Sequence, residues 1–205
     1  KIRIIYESVE KNFQIKKKIK DFNLRNIDFL YVGRINKEKG ILKLIKVFSN
    51  LYKKNKNLFL LIVGTDELGI KNILNNYSDL KYKIKIIKHS KNIQNYLQAS
   101  DIFCFPSERE GFGLSLIEAS SCELPVVCTD IYGLKDTMIN NVTGYRYDIN
   151  RNSEFLFYLN KLILRPNLRL KLGKKGRKFV KDKFEKKNVV SEFNKYFEKI
   201  LSLNT

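Results

Sequence analysis

Arg34 and Lys39 stand five residues apart behind a glycine, in a stretch that reads Tyr-Val-Gly-Arg-Ile-Asn-Lys-Glu-Lys-Gly over residues 31–40. An apolar run ends at Val32, and Gly33 allows a sharp turn in which backbone approaches a ligand. Two cations at the carboxyl end of a strand suit a diphosphate, since arginine grips two oxygens at once and lysine acts as a point charge. Taken by itself, the same pattern also fits solvated surface charge.

The second chemical segment, residues 105–127, is more specific. Glu110 and Glu118 lie eight residues apart, on either side of Gly111-Phe112-Gly113. A strand, a Pro-Ser turn and a glycine-rich loop lead into a helix that opens near Leu114. The first amides of that helix carry partial positive charge and suit phosphate or sugar oxygens. Glu110 precedes the helix and Glu118 lies about a turn inside it, so the two reach different parts of one extended ligand. Carboxylates only accept hydrogen bonds, which suits vicinal hydroxyls. Glu108 and Arg109 read as plain surface charges, and Phe112 reads as either a lining residue or core.

The elements that must position these residues follow from periodicity. Apolar runs at 27–32, 58–64, 84–87, 102–105, 125–128 and 144–147 lack polar alternation, as strands covered on both faces do. Residues 1–6 read as an extra strand. Ile41, Leu44, Ile45, Phe48 and Leu51 recur at helical spacing, with Lys43, Lys46 and Asn50 on the other side. Further helices are marked by Ile70–Leu74, by Ile93, Tyr96 and Leu97, and by Leu114, Ile117 and Ala119. The alternation predicts an α/β fold with a doubly wound, Rossmann-like parallel sheet, in which ligands bind beyond the carboxyl ends of the strands. Residues 153–203 read as a helical tail broken at Arg165-Pro166-Asn167, with an apolar stripe of Val189, Phe193, Tyr196, Phe197 and Ile200. The division expected is a nucleotide-binding domain over 1–150 and a helical segment over 151–205 that completes it.

Composition limits the function classes. The formal net charge is +19. This fits attraction to an anionic membrane surface or a lysine-rich composition with solvated helix faces. No zinc-finger spacing or RNA-recognition signature accompanies it, so nucleic acid is not expected as a partner. No run approaches the roughly 20 apolar residues of a membrane span. Cys104, Cys122 and Cys128 form no C-x-x-C and read as buried free thiols of a reducing cytosol. His89 has no companions for a zinc site, and no metal or other cofactor is expected. The chain opens on Lys1 rather than methionine and reads as a fragment, so any upstream targeting segment is out of view.

Four motifs in order carry a family resemblance. Residues 110–118 resemble the E-x7-E motif of retaining two-domain (GT-B) glycosyltransferases, the glycosyl transferases group 1 family. Arg34 to Lys39 is similar to that family's V-G-R-x4-K-G phosphate loop. Residues 1–9 look like the strand that starts its C-terminal domain, and Asn141-Val-Thr143-Gly144 matches its N-x-T-G segment. Four positions depart from the pattern. Glu7 and Ser8 replace an asparagine and a glycine, Glu123 replaces a glycine at a helix end, and Asp136 stands for a later glutamate.

The resemblance implies a role for each matching position. Glu118 would bind ribose hydroxyls and Glu110 the donor sugar. Gly33 and the backbone of Phe112, Gly113 and Leu114 would line sugar and phosphates. Arg34 and Lys39 would hold the diphosphate and stabilise the charge that develops as the glycosidic bond breaks. It further implies a nucleotide-sugar donor (a UDP-sugar foremost), a retaining mechanism without metal, and an acceptor hydroxyl in surface-glycan assembly. The glycan or lipid-linked acceptor would be bound by an N-terminal domain outside this chain. Without that domain the fragment would bind nucleotide but transfer poorly, and would expose apolar surface around Tyr196 and Phe197. The setting implied is cytoplasmic, peripheral on the inner face of the membrane. The rival readings are a UDP-sugar epimerase of the same fold and a non-catalytic nucleotide-sugar-binding module.

Overall fold

The computed structural model describes Ser8, Val9, Phe13 and residues 27–202. The strand expected at 1–6 lies outside the described residues. The elements are β1 (Ile27–Val32), α1 (Ile41–Lys54), β2 (Leu60–Val63), α2 (Ile70–Leu74), β3 (Ile84–Ile87), α3 (Ile93–Ala99) and β4 (Ser100–Phe105). They continue with α4 (Leu114–Ser121), β5 (Val126–Thr129), β6 (Gly144–Tyr147), α5 (Asn152–Ile163), α6 (Pro166–Phe184) and α7 (Lys186–Leu201).

All six strands are parallel and lie in the order β3-β2-β1-β4-β5-β6. Parallel strands are covered on both faces, which is why Leu60–Val63 and Val126–Thr129 are buried at every position. From β1 the chain runs outward through β2 and β3, then returns to the other side of β1 with β4. Right-handed crossovers place successive helices on opposite faces when the winding direction changes. Accordingly α1 packs with α5, while α4 packs with α3 and α6. The winding reverses between β1 and β4, where Phe29 is paired with Ile102 and Leu30 with Phe103. The carboxyl ends of those two strands flank the crevice where such sheets bind ligands.

The core runs along this central pair. Phe29, Leu30, Tyr31 and Phe103 are buried, and Phe48 of α1 meets Phe29 edge-on at 5.9 Å. The three cysteines are free and buried, and burial raises the thiols of Cys104 and Cys128 well above their ordinary range.

The helical segment differs from expectation in one respect. Pro166 opens α6 at its first turn, as its fixed φ and missing N–H allow. A second break then falls at Glu185, which is extended (φ −62°, ψ 137°). Val9 bridges to Glu185 there, and its N–H donates to the Phe184 carbonyl at 3.0 Å. The break is thus a long-range contact with no glycine or proline to announce it. None of the described residues of α7 is buried; Phe193 is 43 % exposed and Phe197 54 %, and their rings stack at 6.0 Å.

Candidate active site at the β1–β4 crevice

The loop after β1 is built to hold its cations in fixed backbone. Gly33 N–H continues the sheet by donating to the Val63 carbonyl at 3.0 Å. The buried Tyr31 hydroxyl donates to the Arg34 carbonyl at 2.7 Å, and a Cβ on Gly33 would sit 2.8 Å from that hydroxyl. Burial pushes the Tyr31 phenol well above its usual range, so it stays a neutral donor. Asn36 accepts the Lys39 N–H at 3.0 Å, a local turn of the kind short polar side chains make. Its amide donates to Glu67 at 2.8 Å. Gly40 caps α1 at φ 67°, where a Cβ would overlap the Pro106 carbonyl. Only glycine adopts that conformation easily, and only glycine lets the two loops touch.

The loop after β4 meets it from the other side. Glu108 N–H donates to the Glu38 carbonyl at 2.7 Å, and Thr129 Oγ1 donates to the Ser107 carbonyl. The Ser107 hydroxyl donates to the Arg109 carbonyl at 3.1 Å. Gly133 abuts the Glu110 carbonyl so closely that a Cβ would overlap it. Gly113 then starts α4 at φ 75°.

Two distant site residues meet here. Lys39 Nζ lies 2.6 Å from Glu110 Oε1 and donates to the Arg109 carbonyl at 3.1 Å; both side chains are only 13 % exposed. Arg34 does not join them. Its guanidinium lies 3.5 Å from Glu67 and is 60 % exposed, on the open side of the loop. Glu118 is half-buried on α4, five residues beyond the Gly113 cap and so about 7.5 Å along the axis. Leu114 is 40 % exposed at the helix mouth, and a Cβ on Gly111 would meet nothing within 4 Å.

Phe112 turns its ring away, edge-on to Phe184 at 5.5 Å in a small cluster with Val9, Ile117 and Val180. Its side chain is core, which leaves its backbone to the crevice. Glu108 is more than a solvated charge: it pairs with Lys43 at 2.7 Å, and Lys43 also reaches the Ile149 carbonyl at 3.1 Å. This bond ties the loop after β4 to α1. Glu67 and Asn36 are supporting residues that sequence reading missed. Asn36, three residues before Lys39, carried an Asx-turn signal. Glu67 carried none, because its partners lie across two strands.

The arrangement can take an anion. Lys39, the first amides of α4 and the exposed Arg34 ring one end of the crevice with positive charge, and Glu110 and Glu118 offer acceptors beside it.

Comparison with known proteins gives the family and the fold. The sequence profile described as Glycosyl transferases group 1 matches residues 12–179. The capsular polysaccharide biosynthesis glycosyltransferase CapM of Staphylococcus aureus is 34 % identical over 173 residues, covering 83 % of this chain and 46 % of that protein. Sucrose-phosphate synthase from Thermosynechococcus elongatus superposes with a TM-score of 0.86 at 23 % identity, over 98 % of this chain and 53 % of that one. Alr3699/HepE from Anabaena, solved with UDP and glucose, gives a TM-score of 0.80 at 18 % identity, over 98 % of this chain and 56 % of that one. The chain therefore spans about half the length of these similar proteins. With the profile match running from residue 12 into α6, this chain belongs to the glycosyl transferases group 1 family.

Proposed function

We propose that the chain is the donor-binding half of a retaining, two-domain glycosyltransferase. It would move a sugar from a nucleoside diphosphate, UDP foremost, to a hydroxyl of a growing surface polysaccharide. The observation that carries this reading is the Lys39–Glu110 pair, set at the reversal of the strand order beneath the amino end of α4. CapM, named for capsule biosynthesis, and the UDP and glucose in Alr3699/HepE support the choice of substrate class.

In this reading Arg34 and Lys39 hold the diphosphate. As the bond from the sugar to the β-phosphate oxygen breaks, negative charge grows on that oxygen. Fixed cations and helix amides stabilise it most where it is largest, which lowers the barrier rather than only tightening binding. No metal is required for this role. Glu110 leaves Lys39 to accept hydroxyls of the sugar, and Glu118 accepts the ribose hydroxyls. The backbone at Gly33, Phe112, Gly113 and Leu114 shapes the pocket. The acceptor is a glycan or lipid-linked hydroxyl bound by a second domain, and the enzyme works peripherally on the inner face of the cytoplasmic membrane.

The test is a transfer assay on the full-length protein and on this chain alone. UDP release that depends on acceptor, with retained anomeric configuration in the product, is expected from the full-length protein only. Efficient transfer by the 205-residue chain, or conversion of the donor to an epimer without acceptor, would overturn the reading.

A further inference from the structure

One face of α6 carries a charge pattern that neither the fold nor the donor crevice uses. The helix is fixed in rotation by its inner side. Leu172, Gly173, Gly176, Val180 and Phe184 are buried, and a Cβ on Gly173 would overlap the Glu123 carbonyl at the end of α4. Its two arginines are spent inside the protein. Arg169 reaches Asp101 at 3.3 Å and the Leu162 carbonyl at 2.9 Å, and Arg177 donates to the Ser121 carbonyl.

What remains outward is Lys171, Lys174, Lys175, Lys178 and Lys181, all exposed and spaced to fall on one face. Among the described residues none of the five appears in a salt bridge; Asp182 is the one carboxylate on α6. Leu170, 58 % exposed, stands one turn before Lys174 on the same face. On α7, by contrast, the lysines are mixed with Glu192 and Glu198, and Lys195 pairs with Glu192 at 3.5 Å. So lysine-rich composition alone does not account for five lysines against a single carboxylate, Asp182, on this face of α6.

We propose that this face of α6 docks the protein on an anionic lipid surface. Lysines are compact point charges on flexible stems, suited to a diffuse layer of headgroups. The exposed leucine adds an apolar contact at the boundary of headgroups and chains. A duplex or single-stranded nucleic acid is less well matched, because the face offers no arginine fork and no aromatic ring for base stacking. The proposal deepens the peripheral membrane location given above, and it stands on residues separate from the donor crevice, so donor binding and vesicle binding are read independently.

The experiment is vesicle co-sedimentation of the chain with liposomes of one part phosphatidylglycerol to about two parts phosphatidylcholine, against phosphatidylcholine alone. Two variants are compared with the parent. One carries Lys171→Gln, Lys174→Gln, Lys175→Gln, Lys178→Gln and Lys181→Gln. The other removes as much charge elsewhere, at exposed Lys46, Lys53, Lys54, Lys81 and Lys85. Nucleoside diphosphate binding confirms that both remain folded. The expected result is salt-sensitive binding to the anionic vesicles, reduced at least about a hundredfold in the α6 variant and less than about tenfold in the control. Equal losses in both variants, equal binding to neutral vesicles or no vesicle binding would overturn the proposal. So would tighter binding to duplex DNA that depends on the same five lysines.

Discussion

Lys39 and Glu110, 71 residues apart in sequence, close the crevice between β1 and β4 with a 2.6 Å ion pair. The two groups expected to serve phosphate and sugar neutralise each other. In the proposed donor site a diphosphate takes Lys39 from Glu110, and that exchange leaves the carboxylate to the sugar.

Removing either partner should then act in opposite directions on nucleotide binding. Lys39→Ala loses a charged contact and should weaken UDP binding by about 1.5–3 kcal/mol. Glu110→Gln keeps the shape but frees the lysine, and UDP should bind as well as to the parent or up to about tenfold tighter. In the full-length protein the same Glu110→Gln change should lower kcat. Calorimetry on the chain and steady-state kinetics on the full-length protein check the pair of signs.

Two glycines on the crevice loops should respond very differently to one added methyl. Gly40→Ala forces a Cβ into the Pro106 carbonyl at a left-handed φ, and should cost about 2–4 kcal/mol of stability. Gly111→Ala meets open space and should stay within about 0.5 kcal/mol. Chemical denaturation midpoints separate the two.

Glu123 offers a stabilising change. It sits just past α4 at φ 61°. Leu124 N–H donates to the Ala119 carbonyl at 3.1 Å and Glu123 N–H to the Ser120 carbonyl at 3.1 Å, the two bonds of a Schellman helix end. That position favours glycine, and a left-handed side-chain residue costs about 1–2 kcal/mol. Glu123→Gly should recover part of this, raising stability by roughly 0.5–1 kcal/mol after the entropy of the glycine is subtracted. A rise in thermal midpoint is the check.

Asp28 should make stability fall with pH in the acid range. Its carboxylate accepts the Phe59 N–H at 2.8 Å, but burial, helped by Asp101 on the neighbouring strand, raises its pKa above the ordinary 3.8. The folded state then holds the proton more tightly than the unfolded chain. Stability from this group is full below its unfolded pKa and is lost as pH rises through the folded one. Asp28→Asn removes the titration. Its stability relative to the parent should be similar at acid pH and higher at pH 7, as successive melts across that range would show.

Much of this fold is readable in the sequence because its strands are buried on both sides. β1, β3 and β6 fall where the apolar runs predict them, although Asp28, Lys85 and Arg146 each interrupt one. β4 starts two residues before its apolar run, at Ser100, because the Ser100 hydroxyl bonds the Tyr96 carbonyl and so enters the interior satisfied. A polar residue with a local partner looks like a loop in sequence. The α6–α7 break at Glu185 is invisible for a different reason, since it is set by Val9 from the far end of the chain. At the site, motif spacing pointed to Lys39 and Glu110, but spacing within each loop says nothing of contact between loops. The Asn36–Glu67 bond between the loops after β1 and β2, and the Lys43–Glu108 pair between α1 and the loop after β4, depend on approaches just as unseen.

The donor site is tested most directly by titration of UDP, GDP and ADP into this chain, with Glu118→Ala in parallel. UDP is expected to bind best of the three. Loss of the carboxylate from α4 is expected to weaken that binding by about 1–3 kcal/mol, as for a charged hydrogen bond to ribose. Binding that Glu118→Ala leaves unchanged, or no preference among the three, would contradict a donor site at the β1–β4 crevice.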